Sequence, residues 1–207
     1  GEEQVPYPKD GVTITGDITY QYKLESESTF TTGKPINAGV YDIKITITNS
    51  TVNGTCQVKF TINKMKIKFS SSTININYDD CVNTWSAMLV NIKSKVTFKD
   101  ENNNDLTDFD FANHCQLLGM HNGLYYYGES GYKVNGLTTT TYVAGSTYVG
   151  EVTLYDEVAI NYEFINGENK LLIKYKTAIV GGSYCTIEEA ITAQGGTITF
   201  AGDSTTA

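Results

Sequence analysis

Between Asp17 and Lys64 three successive runs, DITYQYKL, KPINAGVYDIKITITN and GTCQVKFTINK, alternate polar and apolar residues with a period of two, each bounded by Gly, Asn or Pro. In the middle run Tyr41, Ile43, Ile45 and Ile47 alternate with Asp42, Lys44, Thr46 and Thr48. A strand built this way has one face for a core and one for water. The alternation predicts a strand from Ile18 to Leu24, entered from a short VTIT strand by a Gly16-Asp17 turn. A loop over 25–34 follows, then a tight Asn37-Ala38-Gly39 turn with Gly39 at positive φ, a strand from Val40, and a third strand ending near Asn63. Asn49 and Asn53 open formal glycosylation sequons, and both fall in a turn rich in turn-forming residues. Such a unit packs a second sheet and displays loops, and it contains no reactive constellation.

The combination of ITYQYKL, a spacer, KPINAGVYDIKITI and a closing VKFTINK resembles the bacterial immunoglobulin-like repeats known as MBG or YDG modules. In those, a Tyr-rich strand precedes a Pro-x-(Asn/Asp)-Ala-Gly-x-Tyr turn and strand, and the repeat closes on Phe-Thr-Ile-x-Lys. The matching residues here are Pro35, Asn37, Ala38, Gly39 and Tyr41, with Phe60, Thr61, Ile62 and Lys64. The resemblance runs from Val12 to Lys64. It implies an immunoglobulin-like β-sandwich in an exported or cell-surface bacterial protein, a spacer or adhesive role, and no catalytic residues. At the other end, YCTIEEAI, the Gly195-Gly196 turn, TITF and Gly202-Asp203 resemble the opening cap of bacterial right-handed parallel β-helix repeats. That resemblance implies a natural protein continuing beyond Ala207 into a solenoid.

Three segments follow from this reading: residues 1–65 as the immunoglobulin-like module, 66–178 as a second mainly-β domain with one or two short helices, and 179–207 as a helix-strand cap. The fold class is all-β. In the middle segment KIKFSSSTININY reads as a strand or hairpin, and Trp85, Met88, Leu89 and Ile92 fall at helical spacing, which predicts a short helix over one end of a β-core. VTFKDENNNDLTDFDF reads as a hairpin, and Asn166-Gly167 marks another between VGEVTLYDEVAINYEFI, broken near Asp156, and NKLLIKYKTAIV. Thr186 and Glu189 have the spacing of a capping box, with Ile187, Ala190 and Ile191 as the apolar stripe.

Charge and cysteine usage narrow the function. A net charge of -8 disfavours nucleic acid and anionic membrane as partners, and no run has the length of a membrane span. No signal peptide is present, and Gly1 in place of an initiator Met implies a mature or trimmed chain. The expected location is secreted or cell-surface, with a host or bacterial surface protein or glycan as partner. Cys56, Cys81, Cys115 and Cys185 contain no CxxC, so close-spaced zinc and redox patterns are excluded. Cys56 and Cys185 fit simple packing; Cys81 and Cys115, both in the middle segment, are the pair for a disulfide if one forms.

The remaining candidates are weighed on chemistry. Asp100, Asn102, Asn104 and Asp108 are oxygen donors on a tight loop, but an EF-hand needs Gly where Asp105 stands and an acid where Phe111 stands, so a solvated turn is expected. His114, Cys115 and His121 suggest a metal, yet adjacent strand residues diverge, and no metal or other cofactor is expected. Tyr125, Tyr126, Tyr127 and Tyr132, with Trp85 as a helper, could stack on sugar, against ordinary burial as the alternative. Asp108, Asp110, Glu129 and Glu151 show no spacing that singles out a catalytic pair, and no enzyme activity is expected. Lys44, Lys59 and Lys174 occupy strands where a Lys-to-Asn cross-link is conceivable, but alternation puts Lys44 and Lys59 on polar faces.

Overall fold

Alternation becomes strand register in the first part of the chain. The computed structural model describes residues 16–48, 53–81, 85–121, 126–127, 147–193 and 198–200. The chain forms two units, one of residues 1–65 with 159–162 and the other of 66–158 with 163–207. In the first, β1 (Asp17–Leu24), β2 (Gly39–Thr48) and β3 (Asn53–Ile62) form an antiparallel sheet in the order β1-β2-β3. Rows across the sheet read Tyr20/Ile45/Cys56, Tyr22/Ile43/Val58 and Leu24/Tyr41/Phe60 on one face. On the other they read Thr19/Thr46/Thr55, Gln21/Lys44/Gln57 and Lys23/Asp42/Lys59. Every pairing keeps like with like, because a one-residue slip would put the isoleucines opposite lysine and glutamine. Tyr22, Tyr41 and Ile43 are buried, and Tyr41 stacks on Phe60 at 5.4 Å. Among the described residues the first unit holds this one sheet; the second layer of a sandwich is not among them.

The KPINAGVY signature acquires a physical reason. Gly39 is not among the described glycines with positive φ, which corrects the turn expected there. It is strand, and a Cβ on it would lie 2.8 Å from Leu24 Cδ1 and 3.3 Å from the Tyr41 ring. The glycine is needed for close approach, not for a left-handed backbone. The Tyr41 hydroxyl then reaches back to donate to the Asn37 carbonyl at 2.9 Å. Asn161, within the same unit, accepts from the Ala38 N–H at 2.7 Å and donates to Asn37 Oδ1 at 2.9 Å.

The chain continues with β4 (Met65–Phe69), β5 (Thr73–Asn77), α1 (Tyr78–Cys81), α2 (Trp85–Lys95), β6 (Phe98–Asp100), α3 (Phe111–His114), β7 (Cys115–His121) and β8 (Tyr126–Tyr127). There follow β9 (Thr147–Leu154), α4 (Asp156–Ala159), β10 (Tyr162–Phe164), a 3-10 turn at Ile165–Gly167, β11 (Lys170–Lys176), β12 (Ala178–Val180), β13 (Ser183–Cys185), α5 (Ile187–Thr192) and β14 (Thr199–Phe200). The sheets run β10-β4-β6, β5-β11-β9-β7-β8 and β13-β12-β14. The structure is mostly strand, as expected, with more short helices than the one or two foreseen.

Strands adjacent in sequence often part here, which corrects the hairpin expected at Asn166-Gly167 and decides KIKF and TININ as separate strands. β4 and β5 enter different sheets, and β5 instead lies parallel to β11, with Ile74 opposite Ile173 and Ile76 opposite Tyr175. The Asn166-Gly167 turn forms with φ of 53° and 69°, yet β10 joins β4 while β11 joins β5 and β9. The apolar side chains decide this. Phe164 packs on Phe69 at 5.2 Å, whereas Leu171, Ile173 and Tyr175 are fully buried in the five-stranded sheet. Below the small sheet Phe98 is surrounded by Phe69, Phe109 and Phe111. Met88 and Ile92 of α2 are fully buried.

The α5 capping box is present in full: the Thr186 hydroxyl accepts from the Glu189 N–H and a Glu189 oxygen accepts from the Thr186 N–H. Of the foreseen stripe, Ala190 is buried but Ile191 is 71% exposed. Thr186→Ala should lower stability by about 1 kcal/mol. It would be read as a shift of the urea midpoint at unchanged slope.

Candidate functional site

The sequence-derived candidates separate once placed. Tyr125 and Tyr132 lie outside the described residues. Tyr126 and Tyr127 form β8, paired with His121 and Met120 at one edge of the five-stranded sheet, and Trp85 opens α2; the side chains of Trp85, Tyr126 and Tyr127 also lie outside the description. Cys115 is a free, fully buried thiol, and the side chain of Cys81 is outside the description. Burial first, and then the Asp110 carboxylate, push the Cys115 thiol up to about 12. A thiol reagent at mildly alkaline pH should therefore modify exposed Cys56 in the native protein and reach Cys115 only after denaturation. Equal reactivity at both would contradict the burial.

His114 ends α3 and Cys115 opens β7, so the two are not neighbours within one strand. The His114 ring stacks on Phe109 at 4.4 Å, and its Nδ1 lies 2.9 Å from the Asp110 carbonyl oxygen. Asp110 caps α3 by accepting from the Asn113 N–H at 2.8 Å. The acidic loop is likewise self-contained: Asp100 accepts from the backbone N–H groups of Asn102 and Asn104 and from the Asn104 amide. Its carboxylate braces a turn in which Asn103 has a φ of 68°. Among the described residues no group of three His, Cys, Asp or Glu is placed to hold a metal ion.

Among the described residues, one charge constellation was not assembled from the sequence. On the polar face of the first sheet Lys23 Nζ lies 2.9 Å from Asp42 Oδ2, Lys59 lies 3.9 Å from Asp42 Oδ1, and Lys59 also pairs closely with Glu25. Register was the missing signal, because only the pairing of β1, β2 and β3 puts Lys23, Asp42 and Lys59 in one row. The hydrogen bond from Lys23 holds the Asp42 carboxyl below its usual range, and the bond to Glu25 raises Lys59. Asp80, Asp100, Asp110 and Glu189 are also held low, first by side-chain donors from Lys95, Asn104, Asn113 and Lys174. A carboxyl depressed on folding stabilises above its unfolded pKa and loses that contribution as pH falls through its folded value. Stability should therefore be level near neutrality and fall from about pH 4 downward. Asp42→Asn should flatten that acid limb, as thermal melts across pH would record.

The displaced carboxyls named above are all lowered, so none of them is poised as a general acid near neutrality. Lys174 faces Asn75 across β11 and β5, but its Nζ is 2.7 Å from Glu189 Oε1 and ion-paired to a carboxylate. The second unit also carries a groove of about 540 Å³ lined by Val90, Val96, Leu106, Phe109 and Ala112, with Lys93 and Asp110 among its polar residues.

No family model and no curated protein matches the chain. Among solved structures, domains 6-7 of the surface layer protein SbsC are 12% identical, with 81% of this chain and 76% of that chain covered at a TM-score of 0.29. Domains 4-9 of the same protein are 14% identical, with 80% and 27% covered at a TM-score of 0.30. At TM-scores of this size neither likeness bears on the fold or the function of this chain.

Proposed function

We propose that this chain is a non-catalytic structural or adhesive module of a secreted or cell-surface bacterial protein. The observation that carries the reading is the sheet formed by the signature itself. The residues that resemble an MBG-type repeat supply β1, β2 and β3 in unbroken register. The signature turn is held by Tyr41 and Asn161 through backbone and side-chain bonds. The charged row on the polar face is satisfied within the sheet, where a ligand site would leave donors and acceptors converging on open space. That favours a spacer whose chemistry is spent on its own rigidity. On this reading the immunoglobulin-like second layer covers the apolar face of the sheet.

Antibody labelling of intact cells of the source bacterium, with and without surface proteolysis, tests the proposal. Labelling that proteolysis removes supports it. Antigen confined to the cytosolic fraction overturns it.

A further inference from the structure

β3 is a long edge. It pairs with β2 in continuous register from Asn53 to Ile62, with no bulge and no proline. Among the described residues no strand flanks its other side. Natural sheets blunt such edges with short strands, charges, prolines, bulges or covering loops, because an open edge templates another strand. The opposite edge is treated in that way: Thr31 exchanges backbone hydrogen bonds with Tyr22 of β1 at 2.7 and 2.8 Å. β3 has only Lys59 as a charge, and that lysine is paired with Glu25 and Asp42. Val58 is 44% exposed, and Cys56 is exposed too.

We propose that β3 pairs antiparallel with β3 of a second copy of this chain, with the two-fold axis at Val58. The register follows from matching faces. Apolar-face positions meet one another only when the paired residue numbers sum to an even value. With the axis at Val58, Cys56 meets Phe60, Gly54 meets Ile62, Thr55 meets Thr61 and Gln57 meets Lys59, so all apolar-face positions of the strand are used. With the axis at Gln57, Ile62 is left beyond the end of its partner. With the axis at Cys56, both Phe60 and Ile62 are left over. The Val58 register also keeps the two Lys59 side chains apart and gives a Thr–Thr cross-strand pair. Above Gly54 no atom lies within 4 Å of where a Cβ would stand, which leaves room for the Ile62 side chain of the partner copy. The whole chain carries a net charge of -8, and β3, with no acidic residue, is a strand along which two copies approach without repulsion between carboxylates. The pairing goes beyond the surface-module reading and does not depend on it.

The test uses the full chain. Sedimentation equilibrium should show the mass rising with concentration toward twice the monomer. Val58→Lys, at a half-exposed position, should stay monomeric with an unchanged circular dichroism spectrum, because it sets two ammonium groups at the axis. In a Cys56→Ser background, Val58→Cys should cross-link under mild oxidation. Thr55→Cys should not, since its opposite is Thr61 and its own copy lies six residues along the strand, about 20 Å away. A monomer at every concentration overturns the proposal. So does dimerisation of Val58→Lys equal to wild type, or cross-linking of Thr55→Cys as efficient as that of Val58→Cys.

Discussion

Phe98→Ala is expected to cost the second unit about 3–5 kcal/mol, the range for deleting a large aromatic from a packed core. Phe98 is 1% exposed, and its ring meets Phe109 edge-on at 4.9 Å, Phe69 at 5.5 Å and Phe111 at 6.5 Å. These neighbours cannot close over the vacated space. Phe69 is held from another side by Phe164 at 5.2 Å, and Phe109 is stacked on His114 at 4.4 Å. A loss of that size is a large fraction of the roughly 5–15 kcal/mol that holds an ordinary domain folded. Urea unfolding followed by far-ultraviolet circular dichroism would measure it. A loss under about 1 kcal/mol, the scale of an ordinary substitution, would mean that the aromatic cluster is not packed as described.

Gly150→Val should be the second severe change, for the opposite reason. Gly150 lies in β9, between β11 and β7, opposite Leu171 and Met120. A Cβ there would fall 2.8 Å from Ile173 Cδ1 and 3.1 Å from Leu117 Cδ1, both on side chains that are fully buried. Overpacking of this kind costs about 1–3 kcal/mol. The strand preference of valine offsets less than about 1 kcal/mol of it. Ile173→Val removes the colliding methyl, so the double variant should be more stable than the sum of the two single losses predicts. Strict additivity would show that the glycine is not required by that contact.

These two residues also show where sequence reading stops. β1, β2 and β3 were legible because a half-buried strand imposes a period of two, and the α5 cap was legible because a capping box is four residues long. Partners far apart in sequence were not. The Asn166-Gly167 turn predicted itself correctly but not the parting of β10 and β11, which depends on where Phe164 and Leu171 find their cores. Gly150 gives no local signal, since its role is set by Leu117 and Ile173 on neighbouring strands. Asn161 likewise fastens a turn 123 positions away. Of the candidate site, the sequence supplied the residues of the polar row on the first sheet, while their meeting required the register. The tyrosine group stays a sequence-level proposal, with Tyr125 and Tyr132 outside the described residues.

If the chain is a structural module whose polar groups satisfy one another, a glycan array probed with the full chain stays blank. The same array would be run with a Tyr126→Ala, Tyr127→Ala double variant whose fold is checked by circular dichroism. The expected result is no saturable binding to any host or plant glycan. Saturable binding by the wild type that is lost in the folded double variant would contradict it and assign the chain a sugar-recognition site at β8.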